Sequence, residues 1–190
     1  MSLEFRMKIK SDLIKRAQKF AKEKHKHQTR DDDKTPYWKH LKKVVQNLGK
    51  LGITDESIIC AGWLHDTIED TDTDYDDVYE LFGGETAAIV ATVTKDTRMM
   101  KKDREKAYCI QLKRCTWQAQ TVKLADILAN LEDLKFSSKP ISRIKKQVKN
   151  KLEYYNAIKT GLTKNKKNIT DLSFGISRVT ELFLKYNVKL

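Results

Sequence analysis

His65 and Asp66 stand side by side at the polar end of an otherwise apolar run, SIICAGWLHDTIED, from Ser57 to Asp70. On a helix the residue four positions on lies one turn away, so His65 stands over Glu69 and Asp66 over Asp70. Two neighbouring faces would each carry a pair of metal ligands or proton carriers. Burying such a cluster among apolar residues is unfavourable unless a cation or hydrogen-bond donors compensate it, and one divalent metal ion does so for several groups at once. The competing arrangement is a helix that stops at Leu64 and leaves its final turn in water. Two distant residues bear on that choice. His40 follows Tyr37 by three positions on a basic and apolar helix, and Asp126 is the one charged residue in LADILANL, where a buried carboxylate needs a partner. Together His40, His65, Asp66 and Asp126 offer two imidazoles and two carboxylates, a mixed set that suits Mn²⁺ or Fe²⁺ better than a structural Zn²⁺.

The elements that would position these residues are helices. Ile9, Leu13, Ala17, Phe20 and Ala21 form one apolar stripe; Leu41, Val44, Val45 and Leu48 form a second, with Thr35 and Pro36 as its cap and first-turn proline. The run that ends in His65–Asp66 is apolar nearly all round and predicts a helix at the centre of the domain. Val78, Leu81 and Phe82 mark a short helix ending at Gly83–Gly84, and TAAIVATVT after it is open between helix and strand. Further stripes run over 103–115 and 116–134. Pro140 opens a long helix carrying Ile144, Val148, Leu152, Tyr155, Ile158 and Leu162, and a last one holds Leu172, Ile176, Val179, Leu182 and Phe183. The polar segment TKDTRMMKKDRE carries no stripe and is expected to be the least ordered. The expectation is an all-α fold forming one domain over residues 1–190, with Met7 a candidate natural start behind residues 1–6.

Composition narrows the setting. No apolar run approaches the roughly 20 residues that span a bilayer, mean hydropathy is −0.63, and the amino terminus lacks the apolar core of a signal peptide. Three cysteines without a C-x-x-C pair argue against a disulfide framework and fit a reducing cytoplasm. The net charge of +12 invites an anionic partner. Most of that charge sits between Lys135 and Lys167, where eleven bases face Glu153 alone, while Asp66 to Asp77 holds seven acids and no base.

The stretches HKHQTR, TPYWKH, WLHDTIEDTDTDYDDVYELFG, VTKD and VKLADILANLEDL, in this order between residues 25 and 134, resemble the RelA/SpoT-type HD hydrolases, on the branch of the small stand-alone alarmone hydrolases that includes the metazoan SpoT homologues. The resemblance implies an HD-domain helical fold with one metal site at the centre of the bundle and no room for a synthetase domain. It implies His40, His65, Asp66 and Asp126 as ligands of one Mn²⁺, with Glu69 and Asp70 as the acidic pair that holds or deprotonates the attacking water. It further implies removal of the 3′-pyrophosphate of ppGpp or pppGpp, giving GDP or GTP and pyrophosphate, with Asn130 contacting the nucleotide one turn after Asp126. Arg30, Tyr37, Arg143 and Lys146 complete the candidate substrate contacts. His25 is expected to be structural and His27 to lie at the surface, and neither is placed in the metal set.

Two departures from the family pattern bear on the substrate. The family often has two consecutive bases after the glutamine of its first motif; here Arg30 is followed by Asp31, Asp32 and Asp33, which would repel a polyphosphate unless they point away. Leu41 also replaces the usual proline after the metal histidine. The favoured partner is a small polyphosphorylated nucleotide. A competing substrate is another nucleotide with a phosphorylated ribose, such as NADPH losing its 2′-phosphate. A non-catalytic nucleic-acid binder using the basic helix is disfavoured, because it lacks interleaved aromatics and a recognition-helix motif.

Overall fold

A computed structural model describes residues 3–188, with side chains from Asp12 onward. Among the described residues ten α-helices follow one another: α1 (Leu3–Lys24), α2 (Trp38–Lys50), α3 (Glu56–Leu64), α4 (Thr67–Asp70), α5 (Tyr75–Phe82), α6 (Gly84–Val93), α7 (Lys101–Arg114), α8 (Trp117–Asp133), α9 (Ile141–Lys164) and α10 (Leu172–Lys185). Short 3-10 turns at Leu134–Phe136 and Lys166–Asn168 flank α9. Among the described residues there is no strand, only a lone antiparallel bridge between Thr29 and Pro36. The all-α expectation therefore holds. Ile9, the first residue of the expected α1 stripe, and residues 1–2 lie outside what is described at side-chain or backbone level.

The axis of the fold is α8. Thr116 caps it by accepting from the Ala119 amide, and from Ala119 to Ala129 every residue is buried. Helices α2, α3, α6, α9 and α10 all pack against it. Val122, Leu124, Ile127 and Leu131 are fully enclosed, and burial of each such side chain contributes about 1.5–3 kcal/mol. Polar residues share this burial: Gln120, Thr121, Lys123 and Asp126 are inside too. Close approach of α2 to α3 depends on Gly62, where an added Cβ would fall 2.6 Å from Leu48 Cδ1.

Three expectations are corrected and one open choice is settled. The run through His65 is not one helix: α3 ends at Leu64, the chain turns through His65 and Asp66, and α4 resumes at Thr67. That turn is not in water, however, because His65 is only 2% exposed. TAAIVATVT is helical, as α6, because Gly83 at φ 86° turns the chain straight out of α5 and Ala87, Ile89, Val90 and Val93 all find apolar neighbours. Within α5, Val78 and Phe82 point inward while Leu81 is 40% exposed. Thr35–Pro36 does not cap α2. Instead Arg30 N donates to Thr35 O at 2.8 Å and Tyr37 N to Gln28 O at 2.9 Å, closing residues 28–37 into a hairpin. Asp32 stabilises its tip by accepting from the Lys34 amide and from both the amide and hydroxyl of Thr35, as aspartate commonly does in turns.

Candidate metal centre

Three elements converge beside α8. The α2 helix presents His40, the turn between α3 and α4 presents His65 and Asp66, and α8 presents Asp126. His40 Nε2 lies 3.2 Å from Asp126 Oδ1 and 3.7 Å from Asp66 Oδ2. His65 Nε2 lies 3.0 Å from Asp66 Oδ2 and 3.7 Å from Asp126 Oδ1. One ligand atom each from His40, His65 and Asp126 fall within 4.8 Å of one another, and Asp66 stands against both imidazoles. The break in the helix places Asp66 here: its neighbour's ring points at α8, and the turn brings the carboxylate to the same point.

Neighbouring groups hold these side chains in position. His65 Nδ1 donates to the Gly62 carbonyl at 3.0 Å, which leaves Nε2 as the nitrogen facing the centre. Tyr37 OH donates to Asp66 Oδ2 at 2.6 Å and lies 3.4 Å from Asp70 Oδ2, and its ring stacks on His25 at 4.8 Å. Asn130 Nδ2 donates to Asp126 Oδ1 and to its carbonyl, while Asn130 Oδ1 accepts from Arg30 at 3.0 Å. Lys123 donates to the second Asp126 oxygen at 2.8 Å. His40 Nδ1 is buried without a hydrogen-bond partner; Asp133 Oδ2 is 3.9 Å away, fixed by Lys43 and Arg30.

Electrostatics shows a centre that favours a cation. Burial opposes charge on His65, yet Asp66 and Asp126 outweigh it and lift the imidazole to about 10. Burial dominates at His40 and brings it down to about 4. Asp66 and Asp126 are held below the usual carboxylate range despite their burial, the first by His65 and the second by Lys123 and Lys151. Asp70, by contrast, rises to about 6 through burial and the nearby charges of Asp66 and Glu69. Glu69 reaches elsewhere, accepting from the Lys95 amide at 3.0 Å.

A cavity of about 550 Å³ opens beside the centre. The 28–37 hairpin, α2 and α8 contribute Arg30, His40, Asn130 and Asp133 to its walls, and the loop after α6 and α9 contribute Lys95, Gln147, Asn150, Lys151 and Tyr154. Of the five candidate substrate contacts, Arg30 and Asn130 face this space. Tyr37 does not line it and is spent on Asp66 and Asp70. Arg143 and Lys146 are exposed and lie outside the lining; packing of α9 on α7 and α8 turns Gln147, Asn150, Lys151 and Tyr154 inward instead. Asp31 lines the rim, where Lys139 donates to it at 2.6 Å and Gln147 at 3.2 Å. His25 is buried behind Tyr37 and His27 is at the surface.

The HD-domain family profile matches residues 17–157. The chain is 37% identical over 173 residues to the guanosine-3′,5′-bis(diphosphate) 3′-pyrophosphohydrolase MESH1 of Danio rerio, covering 90% of this chain and 92% of that protein. It is 43% identical over 125 residues to the Xenopus tropicalis MESH1, covering 65% and 70% respectively. A solved structure described as a metazoan ortholog of SpoT that hydrolyzes ppGpp and plays a role in starvation responses superposes with a TM-score of 0.79 at 28% identity, over 91% of this chain and 94% of that one. The chain belongs to the HD-domain family, on its MESH1 branch.

For an HD-domain protein the donor set fits a divalent metal. The buried His65 Nε2 has no hydrogen-bond partner although two carboxylates flank it, and without a cation the imidazole itself must carry the positive charge they call for. Lys95, Gln147, Lys151 and Asp133 line the cavity without having been assigned to the site from the sequence. Lys95 and Asp133 lie within the stretches VTKD and VKLADILANLEDL and Lys151 within the basic run, but nothing local marks them as facing the cavity.

Proposed function

We propose that this chain is a metal-dependent hydrolase that removes the 3′-pyrophosphate of ppGpp or pppGpp, giving GDP or GTP and pyrophosphate. The observation that carries this reading is the near full-length likeness to a MESH1 pyrophosphohydrolase in a chain whose His40, His65, Asp66 and Asp126 converge beside a basic cavity. Those four residues would hold the ion, read here as Mn²⁺ with Fe²⁺ as a second choice. When bound, it would lower the pKa of a water and neutralise phosphate charge. Asp70, which burial and neighbouring acids push up to about 6, takes the proton of the attacking water as general base. Glu69 anchors the loop at Lys95 beside it. Tyr37 orients Asp66 and Asp70 through its hydroxyl, and Asn130 holds Asp126 while presenting Arg30 to the nucleotide.

The reading also takes residues 1–190 as one hydrolase domain and places it in the cytoplasm, where Cys60, Cys109 and Cys115, all free, stay reduced. Among the described residues no helix is long and apolar enough to cross a membrane. The NADPH alternative drew its support from an acid where a base is often found, but Asp31 is answered by Lys139 and Gln147. A panel containing ppGpp, pppGpp, NADPH and GTP, assayed with Mn²⁺ and resolved by anion-exchange chromatography, tests the proposal. Preferential release of pyrophosphate from ppGpp supports it, and faster turnover of NADPH would overturn it.

A further inference from the structure

Three lysines crowd one aromatic ring. Lys95, Lys123 and Lys151 place their ammonium groups 5.3, 5.2 and 5.6 Å from the ring centre of Tyr154. Lys95 and Lys123 lie equally close to Tyr108, at 5.3 and 5.1 Å. The two rings pack edge to face and are buried, so the ammonium groups share a partly desolvated corner where water screens their repulsion poorly.

The acids around that corner are unequally shared. Lys123 donates to Asp126 at 2.8 Å. Lys151 stands 3.9 Å from the same carboxylate and Lys95 3.6 Å from Glu105, both beyond hydrogen-bond length, and Glu105 already accepts from the Tyr154 hydroxyl. Lys95 and Lys151 each keep 19% of their side-chain surface exposed, and both line the cavity. A divalent ion held by Asp126 would add further positive charge at the same place. The corner thus carries more positive charge than its protein acceptors answer, and its open side faces the substrate cavity.

We propose that Lys95 and Lys151 form an anion subsite for the diphosphate group that leaves the nucleotide. This rests on the hydrolase reading above and adds where the departing group is held. Hydrolysis breaks the bond between O3′ and phosphorus; the water oxygen joins that phosphorus, a proton goes to O3′, and the diphosphate departs with negative charge that two ammonium groups can answer. Lys151 stands 3.9 Å from Asp126 at the candidate metal centre and both lysines line the cavity, which puts the subsite beside the phosphorus where the bond breaks.

Calorimetric titration of metal-stripped protein with inorganic pyrophosphate, and separately with GDP, tests the assignment without turnover and without chelation passing for binding. Lys151→Met and Lys95→Met should each weaken pyrophosphate by about tenfold or more, the scale of a lost charge-assisted contact. Lys151→Arg should restore most of it, GDP affinity should change far less, and Lys159→Met, at an exposed site on α9, should match wild type. Wild-type protein that fails to bind pyrophosphate, a Lys151→Met protein that binds it normally, or equal losses of GDP and pyrophosphate in folded variants would overturn the proposal. Lysine-dependent pyrophosphate binding in a protein that leaves ppGpp intact would sink the substrate reading and leave the subsite standing.

Discussion

The two walls of the cavity solve opposite problems. On the wall built from α2, the α3–α4 turn and α8, most polar groups are held by another protein group: Gly62 fixes His65, Tyr37 fixes Asp66, and Asn130 and Lys123 fix Asp126. On the wall built from α9 and the start of the loop after α6, Lys95 and Lys151 stand 3.6 Å from Glu105 and 3.9 Å from Asp126, beyond hydrogen-bond length, with the Tyr154 ring centre 5.3 and 5.6 Å away. Preorganised ligands suit an ion whose geometry must be met in advance, at the expense of side-chain freedom. Unanswered cationic charge suits a substrate that brings its own negative charge, because burial close to other ammonium groups keeps Lys151 at about 8 until an anion arrives.

The strongest break of this contrast is at the ordered wall. Asp66→Ala should abolish both tight metal binding and ppGpp hydrolysis, read by elemental analysis and a pyrophosphate-release assay; a variant that keeps bound metal and full turnover would remove Asp66 from the centre. Asp70→Asn separates chemistry from assembly: metal content should persist while kcat falls by about 10²–10⁴, the usual worth of a general base, and loss of metal instead would give Asp70 a structural role. Asn130→Ala should loosen metal by about 10–100-fold, as expected for a group that orients a ligand, measured by chelator competition.

Stability gives a smaller reading of the same wall. Because an ion that binds only the folded chain stabilises it by mass action, saturating metal at about 100 times Kd should add roughly 2.7 kcal/mol, a rise in Tm of about 5–11 °C for a chain of this size. Calorimetry with and without chelator decides it, and identical curves would dissociate the ion from the fold. Smallest is the strap between the walls, Asp31 with Lys139 and Gln147. Its carboxyl is held below the usual range by these partners despite partial burial. A depressed folded pKa contributes stability above the ordinary carboxylate range and loses it as the pH falls through that range. Asp31→Asn should therefore destabilise by no more than about 1 kcal/mol at pH 7, with the difference closing toward acid pH in urea titrations.

Much of this molecule is legible in its residues. The stripes of α2, α8 and α9 follow from the helical spacing of Leu, Ile and Val, that of α10 does so except at the exposed Ile176, and the candidate metal set stands out because His40, His65, Asp66 and Asp126 are polar groups on otherwise apolar faces. Local turns were less legible. Thr35–Pro36 has the composition of a helix cap, but Asp32 competes for the threonine and wins by being three residues away in a closed hairpin. His65–Asp66 reads as the last turn of a helix, whereas the turn bends there to aim both side chains at α8.

Periodicity by itself determined the apolar face of α2, α8 and α9, since burial of that face is what makes a short helix stable at all. It also determined which residues have chemistry to offer. Only the tertiary structure decided what stands opposite them. Arg143 and Lys146 share a basic helix with Lys151, and composition cannot rank the three. The rotation of α9 about its own axis, set by how Val148, Tyr155 and Ile158 pack, turns Lys151 toward Asp126 and leaves Arg143 and Lys146 in solvent. The physical reason is that a side chain's partners across a cavity belong to other segments, 25 to 56 residues away in the cases of Lys151 with Asp126 and Lys95 with Lys151, and no local pattern encodes a distance through space.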